Sequence, residues 1–368
     1  MPESIAGQIP DLLGHRKAGA NVKGMVLAAG KGTRLLPLTG EIPKPMAPVA
    51  GKPMIQHIFE LLAQSGVGEV HVNVHHLADA ILDRYGEEAR VDGTAVHCTR
   101  ETELMGTAGG VKRIIDHFDE TFVVVMGDAL TDVDVREVVD FHKEKKAAAT
   151  IALTPVEDTT EYGVAVLDRE KSVVGFQEKP GPEEAISNLA NTGIYVLEPE
   201  ALSYVPEGAF FDFAKGLFPR LLEAGERVAG YNVSGSYWSD IGNLSAYKEA
   251  QRDVLAGLVK VEVDGELWGR NLWIGEKARI HPSAYGRIEG KAFIGTGAEV
   301  GPDASLSEGA TVGRHCRVGH GASVRGSILL PGATVGAGAY LEDCVIGPGY
   351  EVGSGARLFG EALVREAA

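Results

Sequence analysis

The chain has 368 residues, 44% of them hydrophobic and 23% charged, which fits a globular protein long enough for two domains and in no need of cross-links. Its formal net charge of -16 argues against nucleic acid as a partner, because phosphate-backbone binding draws on an excess of lysine and arginine. The three cysteines, Cys98, Cys316 and Cys344, are odd in number, far apart and in no Cys-x-x-Cys pair, which excludes a disulfide framework or zinc site and points to a reducing, cytoplasmic setting.

Residues 1–22 read as an N-terminal extension. Asp11, His15, Arg16 and Lys17 interrupt any apolar core there, so neither a signal peptide nor a membrane span is expected. From residue 23 to about 255, strand-like runs near 24–29, 68–74, 121–126 and 148–153 alternate with amphipathic helical runs near 53–65, 77–85, 108–117 and 132–145. Such alternation predicts an α/β domain with a mostly parallel sheet, helices on both faces, and ligands beyond the carboxyl ends of the strands. Gly30, Asp128 and His75 fall at those ends.

The first strand runs into VLAAGKGTRLLPLTGEIPKPM, residues 26–46. A Walker loop fails here, because Gly24 and Gly30 are separated by five residues and Gly32 follows Lys31. A dinucleotide fingerprint fails as well, since its third glycine would fall on Leu35. What remains is a Gly-x-Gly-Thr-Arg loop whose backbone N–H groups approach an anion closely, with Arg34 and Lys44 able to grip more of it.

Further along, His71, Asn73 and His75 share one face of a strand and His76 follows. No cysteine or carboxylate completes a metal set, so a structural or site-rim role is expected. The run Lys143-Glu144-Lys145-Lys146 reads as the solvated end of a helix. Beyond residue 262 an aliphatic residue recurs every six positions: Ile288, Ile294, Val300, Leu306, Val312, Val318 and Val324. The register slips once and resumes at Val335, Leu341, Ile346, Val352 and Leu358. This period predicts a parallel β-helix of about five coils over 262–368.

Taken together, the loop, the sheet and the repeat resemble the sugar-phosphate nucleotidyltransferases, in particular the mannose-1-phosphate guanylyltransferase-like branch with its C-terminal left-handed β-helix. The run Leu27-Ala28-Ala29-Gly30-Lys31-Gly32-Thr33-Arg34-Leu35 with Pro43-Lys44-Pro45-Met46 carries the resemblance most specifically. It implies a Rossmann-like nucleotidyltransferase domain over 23–255 and transfer of a nucleotidyl group from a nucleoside triphosphate to a sugar-1-phosphate, with release of pyrophosphate. GTP and mannose-1-phosphate are the first expectation; UTP or dTTP with glucose-1-phosphate or another sugar-1-phosphate is the alternative.

By the same resemblance, the backbone from Leu27 through Gly32 and Thr33 wraps the nucleotide, with Arg34 on the leaving phosphates and Lys44 closing on them. Asp128 and Asp240 would hold Mg2+, a hard cation that prefers oxygen ligands. Gly106 and Thr107, in Leu104-Met105-Gly106-Thr107-Ala108-Gly109, would enclose base and ribose. Lys179 in Glu178-Lys179-Pro180 would hold the sugar phosphate, Glu178 and Asn191 the sugar hydroxyls, and Gly163 would admit the backbone. Phe211-Asp212-Phe213 resembles a segment packed below the site, and Gly216 stands where relatives often carry an acidic residue.

Two other readings compete. Hexapeptide helices carry acyl transfer in other proteins, and His315 and His320 lie in the repeat, but no long inserted loop shapes a donor pocket. A non-catalytic regulatory subunit that binds nucleotide sugars would be expected to lose charged members of the site; this chain keeps Arg34, Lys44, Asp128, Lys179 and Asp240. Self-association through β-helix faces is expected.

Overall fold

The computed structural model describes residues 22–365, so the expected extension lies outside the described residues except for Val22. Besides the short hairpin Pro48–Val49 and Lys52–Pro53, the first domain's main sheet and a small antiparallel pair use twelve strands: β1 (Lys23–Ala28), β2 (Glu69–Val74), β3 (Glu88–Val91), β4 (Thr94–Arg100), β5 (Phe122–Met126), β6 (Ala129–Thr131), β7 (Ala149–Pro155), β8 (Gly163–Leu167), β9 (Val173–Glu178), β10 (Leu189–Leu197), β11 (Val228–Asn232) and β12 (Trp238–Asp240). The main sheet runs β9-β8-β10-β5-β1-β2-β4-β3, with β7 pairing β10 and β11.

Its centre is parallel: β1 lies between β2 and β5, and β2 pairs β4. These strands read as continuous apolar runs because both faces are covered; Met25 and Val26 on β1 and Val123, Val124 and Val125 on β5 are all 0% exposed. The β8, β9 and β10 flank is antiparallel, joined to the centre through the antiparallel β10–β5 pair. Helix Met54–Gln64 buries Met54, Ile55, Ile58, Phe59 and Leu62, the helical spacing of one apolar face. Helix Val135–Lys145 is capped by Asp134, whose side chain accepts from the Arg136 N–H.

Beyond helix Leu244–Ala256 the chain enters a three-sided prism of parallel sheets. One inward column stacks Ile274, Ile294, Val312, Leu329, Ile346 and Leu363; a second stacks Ile280, Val300, Val318, Val335 and Val352; a third stacks Ile288, Leu306, Val324, Leu341 and Leu358. The slip expected once recurs in each of the last three coils: Val324 to Leu329, Leu341 to Ile346 and Leu358 to Leu363 span five positions rather than six. Before Val312 the chain turns through two residues of positive φ, Glu308 and Gly309, whereas the later corners use one, Gly326, Asp343 or Gly360.

The two halves share a core. Leu35, Leu38, Val49 and Met54 from the first domain pack in one buried cluster with Tyr247 and Val254 of the connecting helix and Ile328, Leu330 and Val345 of the prism. Tyr247 donates from its hydroxyl to the Pro48 carbonyl at 2.6 Å, and Gln251 accepts from the Ala50 N–H at 2.9 Å. The turn that follows Lys44 is thereby fixed by the connecting helix. Among the described residues, no helix is long and apolar enough to cross a membrane.

Candidate active site

The glycine loop leaves β1 and closes back on itself. Gly32 has φ +63, and a Cβ there would lie 2.9 Å from the Lys44 Cβ, so only glycine lets the loop pass under the lysine. The Thr39 hydroxyl donates to the Gly32 carbonyl at 2.9 Å and ties the loop to the turn that follows.

Asp128 follows β5. Asp240, more than a hundred residues later, is brought beside it by the small antiparallel pair β6–β12, in which Asp240 lies opposite Ala129. Between the carboxylates stands Lys44, its Nζ 2.6 Å from Asp128 Oδ2 and 3.1 Å from Asp240 Oδ1. Burial is the largest single influence on this ammonium and lowers its pKa, but the two carboxylates more than offset it and the net shift is upward. Lys44 is therefore charged across the working pH range. Arg34 reaches the other oxygen of Asp240, Nη2 to Oδ2, at 3.4 Å.

Two cavities meet here. The first, about 230 Å³, is lined by Leu27, Ala28, Ala29, Gly30, Gly32, Lys44, Gly106, Thr107 and Asp128, together with Asn73, Glu101, Leu104 and Phe210. The second, about 300 Å³, is lined by Arg34, Asp128, Gly163, Glu178, Asn191 and Asp240, together with Trp238 and Lys215. Asp128, Thr107, Met126 and Asp212 border both. A group bound in one cavity thus faces a group bound in the other across Asp128. Of the residues singled out from the sequence, Thr33 lines neither cavity, and neither does Lys179, which is exposed with its backbone at φ +48.

Several members of the site make contacts that the sequence did not show. Glu101, 5% exposed, accepts from Asn73 Nδ2 at 2.8 Å, while Asn73 Oδ1 accepts from the Ala28 N–H at 3.0 Å. This pair locks the end of β1 to a carboxylate in the first cavity. Asp212 accepts from both the backbone N–H and the hydroxyl of Thr107, at 3.1 and 3.2 Å. It borders the site, where the sequence reading placed its segment below. Trp238 donates to the Thr192 carbonyl at 2.8 Å and closes the second cavity.

The histidines separate. His71 pairs with Glu69 at 2.8 Å, His75 bonds the Glu101 carbonyl at 2.9 Å, and His76 bonds the Thr39 carbonyl at 3.0 Å. His75 and His76 thus brace the backbone around the first cavity, and His71 packs against the His97 and His117 rings.

Residues 23–257 match the nucleotidyl transferase family and residues 288–368 match the GMPPB C-terminal domain; the chain belongs to the nucleotidyl transferase family. It is 37% identical to a UTP–glucose-1-phosphate uridylyltransferase of Synechocystis, over 84% of this chain and 82% of that one. It is 32% identical to a mannose-1-phosphate guanylyltransferase of Mycobacterium tuberculosis, over 85% of this chain and 81% of the other. Among solved structures, HddC from Yersinia pseudotuberculosis, complexed with GMP-PN, is 25% identical with a TM-score of 0.55, covering 63% of this chain and 99% of that one. Enzymes of this family generally work with a divalent metal. The donor set fits one: a carboxylate from the turn after β5 and one from β12 converge on a single cationic atom, and oxygen ligands are what a hard divalent ion takes.

Proposed function

We propose that this chain transfers a nucleotidyl group from a nucleoside triphosphate, bound in the first cavity, to a sugar-1-phosphate bound in the second. The observation that carries the reading is the junction at Asp128, where Lys44, Arg34 and two carboxylates stand between the cavities. A sugar phosphate oxygen forms a bond to the α-phosphorus as the bond to pyrophosphate breaks, so two anions must be brought together. At about 4 Å their repulsion is roughly 4 kcal/mol at an effective dielectric of about 20. Catalysis of this kind rests on positioning and charge neutralisation.

In this reading the loop from Leu27 to Gly32 presents backbone N–H groups to the triphosphate, with Thr33 shaping its turn. Lys44 and Arg34 neutralise the phosphates, and Gly106 and Thr107 border the base and ribose. Asp128 and Asp240 would hold Mg2+, which would supply further charge neutralisation at the reacting phosphates. Glu178 and Asn191 take sugar hydroxyls, Gly163 leaves room for the ring, and Lys179, which follows β9, holds the sugar phosphate.

Guanine is the base the first cavity suits best. A carboxylate such as Glu101 accepts from two adjacent donors, which guanine offers at N1–H and N2–H, whereas uracil offers one donor flanked by acceptors that a carboxylate repels. GTP with mannose-1-phosphate is therefore the first expectation. UTP with glucose-1-phosphate is the second, favoured by the name of the 37% identical relative. The test is pyrophosphate release by the purified chain with Mg2+ across a matrix of nucleoside triphosphates and sugar-1-phosphates. Release with one pair only identifies the substrates; release with none removes the reading.

A further inference from the structure

Leu27, Ala28, Ala29 and Leu104 line the first cavity beside Glu101, and Phe210 completes the lining from a segment distant in sequence. That ring is 65% exposed. A single exposed phenylalanine is ordinary on a protein surface. One that borders an apolar cavity with a carboxylate in its wall offers a flat face to any planar group the carboxylate grips by its edge.

Its two aromatic neighbours are taken up by packing. The Arg220 guanidinium lies over the Phe211 ring at 4.6 Å, and Phe213 is buried in the domain core. The backbone beside Phe210 is pinned to the start of helix Gly106–Arg113. The Phe211 N–H donates to the Met105 carbonyl at 2.8 Å, and the Phe211 carbonyl accepts from the Ala108 and Gly109 N–H groups, each at 2.9 Å. Two glycines permit this approach: a Cβ on Gly106 would lie 2.6 Å from the Phe211 carbonyl oxygen, and one on Gly109 would lie 2.8 Å from that of Ala209. Residues 209–211 are therefore docked on the helix, and Phe210 is carried on a fixed backbone at the edge of the cavity.

We propose that the Phe210 ring stacks on the face of the nucleotide base whose edge donates to Glu101, and that it thereby positions the base and raises selectivity for purine over pyrimidine triphosphates. This inference rests on the nucleotidyl transfer reading above and adds a contact on the face of the base to the one on its edge. A purine covers more of an aromatic ring than a pyrimidine does, so the two contacts favour guanine together. Because residues 209–211 are held by the helix, the side chain alone turns onto the base.

The experiment compares Phe210→Ala, Phe210→Leu and Phe210→Trp in the full chain, with steady-state kinetics on both substrates and with GTP and UTP as nucleotides. Phe210→Ala should raise the KM for GTP about tenfold, the effect of removing one base-stacking side chain, and raise that for UTP less. The KM for the sugar-1-phosphate should change less than about twofold, because a binding contact to the base alone is lost. Phe210→Leu restores apolar bulk without a flat face and should stay near Phe210→Ala, whereas Phe210→Trp should return to the parent's value. GTP should also quench the new indole in a direct titration, beyond any change seen in the parent's Trp238, Trp268 and Trp273. Melting temperatures of all variants should match the parent, because the ring is exposed. Unchanged GTP KM in Phe210→Ala, a rise for UTP as large as that for GTP, full recovery by Phe210→Leu, or no quenching of Phe210→Trp by GTP overturns the inference while leaving nucleotidyl transfer intact. Absence of turnover by the parent chain with every pair would instead remove the reading on which it rests.

Discussion

The Nζ of Lys44 lies 2.6 Å from Asp128 Oδ2, and the same nitrogen holds Asp240 at 3.1 Å, so one buried cation keeps two carboxylates of distant sequence together. Lys44→Ala removes that cation and leaves the pair to repel. Turnover should fall by about 10²–10³, the loss usual when a preorganised charge partner of the reacting phosphates is deleted. The nucleotide-free variant should also bind Mn2+ more tightly than the parent, because the carboxylates no longer have an internal counterion. Titration followed by electron paramagnetic resonance reads this directly, and weaker Mn2+ binding would count against the shared-cation arrangement.

Asp128→Asn tests the junction from the other side. The amide keeps the shape of the side chain and abolishes its charge, so pyrophosphate release should be lost while the far-ultraviolet circular dichroism and melting temperature stay near the parent's. Retained turnover would remove Asp128 from the metal role.

Glu101→Gln should exchange base preference. Losing a charge-assisted acceptor costs about 1.5–3 kcal/mol, so kcat/KM with GTP should fall by about 10- to 150-fold. The new amide offers one donor and one acceptor, which matches uracil better, and the ratio of UTP to GTP turnover should rise. A parallel fall with both nucleotides would assign Glu101 to bracing Asn73 alone.

Burial holds the imidazoles of His57, His71 and His142 below their ordinary pKa. The unfolded chain therefore takes up more protons than the folded one as pH falls through about 6.5, so stability is full above that value and is lost progressively below it. A melting series from about pH 7.5 to 5 should show this slope, and His142→Gln should flatten part of it. A flat profile in the parent would contradict the burial argument.

Gln251→Ala deletes the acceptor for the Ala50 N–H and the donor to the Pro48 carbonyl. The Pro48 carbonyl keeps the Tyr247 hydroxyl, but leaving the buried Ala50 N–H unpaired costs about 1–3 kcal/mol. Differential scanning calorimetry should register the loss, and turnover should drop as well because the turn being held continues from Lys44.

Much of the arrangement was legible in residue order. The apolar runs of β1 and β5 and the six-residue period announced both halves, because burial on both faces and inward stacking leave direct traces in composition. Asp128 could be placed because it follows β5 immediately. Asp240 could not be placed beside it without the family resemblance, since the β6–β12 pairing that joins them has no periodicity of its own. Glu101 and Trp238 were missed for the same reason: each acquires its part through a side-chain hydrogen bond across the fold. The recurring five-residue step was hidden because a corner closed by Gly326 and one closed by Asp343 share a backbone conformation and no common side chain.

The prism lies along the first domain, with Gly51 against Phe293, Ile328 and Val345 in the shared cluster, and Ala362 and Val364 packed on its margin. Its length is consequently gauged by its neighbour. Inserting a whole extra coil in mid-stack would preserve every inward column, yet it would carry the later contacts about 4.8 Å past the surfaces they fit. A repeat that is modular within itself is here cut to measure, and growth is open to it only at the far end.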